Sequence, residues 1–206
     1  PEIAANTAQI EEWVKLFAID EIDSFSAPLT VGFLKTNDKL VLDTKFFSDD
    51  FKAKLIGGIE NFDDQMDGLL IHSENFQALN LLQARYREQV KCVYIDPPYN
   101  TNASKIVYKN EYEHSSWVCL MNNRLSISKQ LISEDGVTIV AIDDYEQRNL
   151  QQLLDIRYGR TNFISNIAIL TNPKGRDQEF IAQAHDYSLV YAKNKKLAVT
   201  YDFQLS

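Results

Sequence analysis

The sequence predicts an α/β domain, a mostly parallel sheet with flanking helices, behind an N-terminal extension. Three observations carry this. From residue 68 onward, short apolar runs alternate with amphipathic stretches in the order strand–helix–strand–helix–strand–helix–strand, the pattern of crossover connections. The runs KCVYI (91–95) and GVTIVAI (136–142) are almost continuously apolar, as strands covered on both faces are. Residues 1–67 lack that alternation and are strongly acidic.

In the extension, IEEWVKLFAI (10–19) spaces its apolar residues as a short amphipathic helix. KLVLDT (39–44) reads as a short strand. SDDFKAKLI (48–56) reads as a helix with a Ser or Asp cap, broken by Gly57 and Gly58. NFDDQMDG (61–68) is an acidic turn region, and the acids of 1–67 suit a solvated face or an interdomain surface. In the main domain, LLIHS (69–73) reads as a strand. Ser73 is placed to cap a helix over 74–89, with Phe76, Leu79, Leu82 and Tyr86 along one side. A long polar loop, 96–114, follows the strand 91–95. SSWVCLMNNRLSISKQLISE (115–134) is a helix, 136–142 a strand, and 144–159 a helix that Gly159 can end. NFISNIAIL (162–170) and YSLVYAK (187–193) are strands around a polar loop, 171–186. Neither internal repeats nor low-complexity segments are evident.

Composition bounds the function. The chain has 206 residues, 45% hydrophobic and 24% charged, enough for one medium domain with an attached piece. No apolar run reaches membrane-spanning length and no signal peptide is visible, so a cytoplasmic protein is expected. The chain does not begin with Met and is expected to be an internal piece. Cys92 and Cys119 carry no CxxC or Cys/His cluster around them, which speaks against zinc and for two buried thiols in a reducing compartment. The net charge is −8, unevenly spread: residues 1–75 hold 15 acids and 6 bases, residues 76–206 hold 14 acids and 15 bases. Overall acidity argues against a free-standing nucleic-acid binder, without excluding a catalytic part whose DNA-gripping surface lies elsewhere in a longer chain.

The chemistry concentrates at DPPY, residues 96–99, directly after the strand 91–95. In an open α/β sheet, ligands sit beyond the carboxyl ends of strands. A residue before proline is held extended, which fixes Asp96. Pro97 and Pro98 fix φ and remove two N–H donors, leaving carbonyls as acceptors beside the Asp96 carboxylate. Tyr99 offers a flat face. Acceptors beside an aromatic plate suit a planar ring with an exocyclic amine. Accepting both amine N–H groups, one at Asp96 and one at the Pro97 carbonyl, turns the nitrogen toward tetrahedral geometry and points its lone pair at an electrophile. Stacking on Tyr99 is worth about 1–3 kcal/mol, and a base in a duplex reaches such a pocket only when flipped out.

These residues resemble the (D/N/S)PP(Y/F/W) motif of amino-group DNA methyltransferases. More narrowly, the chain resembles the adenine-N6 modification subunits of type III restriction–modification systems, in which the catalytic motif precedes the cofactor-binding one. The likeness covers about residues 67–193. GLLIHSENFQALNLL resembles the family's GDN-containing strand and helix, and DPPYNT its catalytic motif. SSWVCLMNNRL, GVTIVAIDD, NFISNIAI and AHDYSLVYAKN match further segments. The resemblance implies a Rossmann-like methyltransferase catalytic half over 68–206 behind an extension over 1–67. It implies S-adenosylmethionine as methyl donor, with Asp96, Pro97, Pro98 and Tyr99 catalytic and Asn75, Asn100, Thr101 and Trp117 near the cofactor. It further implies DNA as substrate, a restriction endonuclease subunit as partner and a homodimer of the full-length protein. Transfer in one step needs no metal, and neither cysteine follows a proline, so a covalent C5-cytosine route has no visible nucleophile.

The chain departs from the family at three places. Ser73-Glu74-Asn75 stands for Gly-Asp-Asn, and Asn102 replaces a glycine. The Gly-rich F-x-G-x-G cofactor loop is absent and is expected beyond Ser206, so this stretch alone is expected to be inactive. N4-cytosine methylation fits the same acceptors. Protein-glutamine methylation predicts Asn at position 96, and a non-catalytic scaffold fits the acidity.

Other residues have plainer readings. Asp143 and Asp144 suit a helix cap. Trp117, Leu120, Met121 and Leu125 suit core packing at helical spacing, and Arg124 either pairs with a carboxylate or is solvated. His72, His114 and His185 lack ligand spacing. Lys105, Lys109, Lys174 and Arg176 lie in loops flanking the cleft, either as DNA-phosphate contacts or as solvated charges.

Overall fold

The computed structural model describes residues 1–100, 113–171 and 184–199. The chain divides into two compact units, Pro1–Leu70 and Ile71–Ser206.

The first unit is helical. Helix α1 (Thr7–Phe17) starts at Asn6, whose side chain accepts the Gln9 N–H at 3.0 Å, and places Ile10 and Trp13 in a core with Ile19, Leu29 and Phe33. Helix α2 (Val31–Thr36) is capped by Thr30, and α3 (Asp49–Gly57) by Ser48 as expected; a short α4 (Phe62–Gln65) follows. The strand expected over 39–44 does not form. Its backbone is taken by side chains of α1: the Trp13 indole N–H donates to the Val41 carbonyl at 2.7 Å, and Gln9 Oε1 accepts from Asp43 N at 2.7 Å. With its polar groups satisfied that way, the segment needs no strand partner.

The second unit is α/β. The segment 69–73 is irregular, with Leu70 98% exposed, because no described strand pairs with it. Helix α5 (Asn75–Tyr86) is capped one residue later than expected, by Glu74 rather than Ser73. Strand β1 (Val90–Ile95) delivers the 96–99 segment. Helix α6 (Glu113–Leu131) runs without a loop into β2 (Ile132–Ile142), which starts four residues earlier than its apolar run suggests. The early start follows from Val90↔Ile132 pairing, reinforced by Ser133 Oγ on the Val90 carbonyl and Lys91 Nζ on Asp135, 2.6 Å to Oδ1. Helix α7 (Gln147–Tyr158) ends at Gly159, where φ is 86°. Strands β3 (Phe163–Leu170) and β4 (His185–Ala192) complete the sheet in the order β1-β2-β4-β3.

Among the described strands β1, β2 and β3 run in one direction and β4 runs against its neighbours β2 and β3, so three of the four share a direction as expected and β1–β2 is the parallel pair. The sheet is mixed because β4 returns from β3 against its direction and inserts beside β2. Position corrects one expectation. With one described neighbour, β1 lies at an edge and is half exposed, so the Cys92 thiol is exposed rather than buried. Cys119 is exposed too, since two residues beyond the buried Trp117 is about 200° around the helix.

The core joins Trp117, Met121 and Leu125 of α6 to Val140 and Ile142 of β2, Leu150 and Leu154 of α7, and Leu189 and Tyr191 of β4. Burying each side chain stabilises by about 1.5–3 kcal/mol. No helix among the described residues is long and apolar enough to cross a membrane.

Candidate active site

One end of the sheet gathers the polar groups. The parallel pair β1 and β2 ends there, at Ile95↔Val140 and two residues beyond. Antiparallel β4 begins at the same end, since Ile142 pairs with Tyr187. Asp96–Tyr99, Asp143–Tyr145 and His185–Tyr187 therefore meet.

Asp96 is exposed just past β1, Pro97 half-buried, Pro98 exposed and Tyr99 half-buried against the core. The Tyr99 hydroxyl lies on the side of the Asp96 carboxylate. Burial first, then the interaction with Asp96 and the nearby Asp186 charge, push the Tyr99 hydroxyl well above its ordinary range. The Pro98 carbonyl accepts the Trp117 indole N–H at 2.7 Å. The Tyr187 hydroxyl lies 3.0 Å from His185 Nε2, and interaction with Asp144 first, then burial, raises it above its ordinary range. Asp143 Oδ1 accepts from Tyr145 N at 3.0 Å, so it fixes the turn before α7 rather than the helix start.

A cleft of about 620 Å³ opens beside the motif. Its walls are Asn75 and Leu79 of α5, Val93 to Pro98 at the end of β1, and Leu120, Met121 and Arg124 of α6. Arg124 Nη2 meets Glu74 Oε1 at 2.6 Å, which ties the start of α5 to α6 beside the cleft. The Glu74 carboxyl is held below its ordinary value, where hydrogen bonds from Gln77 N–H and Arg124 outweigh the opposing desolvation.

Of the expected site residues, the structure brings Asn75, Asp96, Pro97 and Pro98 onto this cleft. Asn100 and Trp117 stand behind the motif instead: both are buried, Asn100 on Glu146 and Trp117 on Pro98. Thr101, Lys105, Lys109, Lys174 and Arg176 lie outside the described residues. Sequence reasoning missed Glu146. Its carboxylate is fully buried and receives Asn100 Nδ2 at 2.7 Å, His114 Nδ1 at 2.8 Å and Asn149 Nδ2 at 2.7 Å. In the sequence it resembles any first-turn acid.

The N6/N4 family model described as DNA methylase matches residues 90–205, so this chain belongs to that family. The chain is 33% identical over 147 residues to the probable type III restriction-modification enzyme HindVI Mod subunit of Haemophilus influenzae, covering 68% of this chain and 20% of that one. It is 32% identical over 168 residues to the EcoPI Mod subunit of Escherichia phage P1, covering 66% and 26%. Against the type II methyltransferase M.KpnI of Klebsiella pneumoniae it is 30% identical, covering 69% and 39%. It thus spans about 20–39% of the length of these relatives.

Proposed function

We propose that this chain supplies the catalytic segment of a DNA methyltransferase that transfers a methyl group from S-adenosylmethionine to adenine N6. One observation carries this: Asp96, Pro97 and Pro98 form the lip of the cleft at the carboxyl end of β1, directly before Tyr99.

The residues present fit the cofactor. The cleft has the size of a small-molecule site, with apolar walls at Leu79, Val93 and Leu120 and few polar groups. Asn75 and Asp96 would hold it, and the bound cofactor would supply an electrophilic methyl group. The chain's own part is orientation. A carboxylate offers about four lone-pair sites, so Asp96 can interact with the Tyr99 hydroxyl and still accept from the adenine amine. The Pro97 carbonyl accepts the second N–H. Both acceptors draw the nitrogen toward tetrahedral geometry and aim its lone pair. The Tyr99 face stacks on the flipped base. The amine sheds one proton, which the Asp96 carboxylate can accept. Asp at position 96 and the neighbouring segments favour adenine over cytosine N4.

Relatives named as Mod subunits of restriction–modification enzymes support a modification role. A restriction endonuclease subunit as partner and a homodimeric, cytoplasmic full-length protein are part of the same proposal. Lys105, Lys109, Lys174 and Arg176 as DNA contacts, and Thr101 as a cofactor contact, belong to the same proposal. The test is to incubate the full-length protein with DNA and S-adenosylmethionine, digest the DNA and weigh the nucleosides. N6-methyladenine is expected. N4-methylcytosine would keep the mechanism and change the base. No modified nucleoside from folded protein would overturn the reading.

A further inference from the structure

We propose that Glu146 is the positioning residue of the 96–100 segment, holding Asn100 and through it the direction of Tyr99. The proposal rests on the catalytic reading above, but its physical content is separate.

A fully buried glutamate is rare unless it is paired. Glu146 sits at the position before α7, yet its side chain makes no cap bond to that helix. The carboxylate is therefore not explained by capping, which Ser or Asp would do better. It faces three donors from separate parts of the chain instead. Oε1 takes both Asn100 and His114, and Oε2 takes Asn149. His114 is half exposed, its ring 5.1 Å from that of Tyr145, so one flank of the network reaches solvent.

Asn100 is the unusual partner. Its φ is 62°, the left-handed region, which Asn tolerates and most side chains do not. Such a conformation persists when its surroundings over-determine it. Asn100 is 1% exposed, and among the described residues its Oδ1 takes no donor, so the bond to Glu146 is the side chain's described anchor. Directly after Tyr99 the backbone takes the left-handed conformation at a residue gripped by a buried carboxylate. Two residues earlier, Trp117 grips the Pro98 carbonyl. Tyr99 is thus suspended between two fixed points.

The two indoles supply the test. The Trp117 indole N–H reports the Pro98 carbonyl, and the Trp13 indole N–H, on Val41 in the other unit, serves as reference. In ¹H–¹⁵N spectra of this chain, Glu146→Ala is expected to shift or broaden the Trp117 resonance and leave Trp13 unmoved. Glu146→Gln should restore it, because the amide oxygen still accepts from Asn100 and His114 while Asn149 turns its own oxygen to the new NH₂. Should Glu146→Ala not fold, the exchange pair decides. Asn100→Asp sets carboxylate against carboxylate and should move Trp117; adding Glu146→Gln should move it back. An unmoved Trp117 resonance in folded Glu146→Ala, or no reversal in the exchange pair, overturns the proposal. In the full-length protein, Glu146→Ala should lower kcat at least tenfold with little change in KM. If the resonances behave as expected while kcat stays at the wild-type value, the positioning stands and the catalytic reading of Asp96–Tyr99 fails.

Discussion

Trp117 and Pro98 are joined by a hydrogen bond of 2.7 Å from indole N–H to carbonyl, although the indole is wholly buried and Pro98 is exposed. A core side chain of α6 thereby sets the orientation of a carbonyl at the mouth of the cleft. The packing of the domain and the aim of the 96–99 segment share one atom pair.

Trp117→Phe keeps most of the packing and removes the donor. A net hydrogen bond is worth about 1 kcal/mol, so a roughly fivefold fall in the methyl-transfer rate of the full-length protein is expected. The check is single-turnover kinetics alongside thermal melting. An unchanged rate would show that the carbonyl needs no anchor.

Asp96→Ala removes the carboxylate proposed above to orient the amine. By analogy with the loss of one preorganised electrostatic contact, the rate should fall by about 10²–10³-fold with the melting temperature preserved. Asp96 is solvent-exposed, so no folding penalty is expected. Tyr99→Phe keeps the stacking face and loses only the interaction with Asp96, and should fall less far. Near-normal turnover by Asp96→Ala would remove Asp96 from the mechanism.

Gly136→Ala should destabilise the second unit by about 1–3 kcal/mol through overpacking. An added Cβ would lie 2.5 Å from Ile132 Cγ2 and 2.9 Å from the carbonyls of Val90 and Lys91. Two of these atoms are backbone of the β1–β2 pair and cannot turn aside. Urea unfolding measures the loss, and an unshifted midpoint would refute the close approach.

Tyr158 should make stability fall with alkali. Burial pushes its hydroxyl up to about 12, against the lowering effect of Thr138, whose Oγ1 lies 2.8 Å away. A folded value above the unfolded one means the full contribution is present below pH ~10 and lost as pH rises toward about 12. The rise from about 10 to about 12 corresponds to roughly 2–3 kcal/mol. Unfolding curves at several pH values, with Tyr158→Phe as the reference lacking this slope, measure it.

Much of this was legible in the sequence. The apolar run before Asp96 is β1, the i, i+4 series Trp117–Met121–Leu125 is the buried stripe of α6, and Gly159 ends α7. What the sequence hid were pairings. LLIHS has the composition of a strand, but a strand exists only beside another. The start of β2 reads as a helix end because Ser133, Glu134 and Asp135 look solvent-bound until Val90 and Lys91 are set beside them. Cys92 looks buried in a run that turns out to lie at a sheet edge. Glu146 is an acid among acids, and only the approach of Asn100 and His114, 46 and 32 positions away, distinguishes it.

The direct passage from α6 into β2 has a consequence for how this chain can change length. With Leu131 helical and Ile132 already paired, no slack lies between them. One residue inserted there would rotate the Trp117 face by about 100° if the helix absorbed it. If the strand absorbed it, every β2 side chain would pass to the opposite face of the sheet. Insertions and deletions that surface loops absorb readily should therefore be excluded at this junction, leaving its length fixed while the sequence on either side drifts.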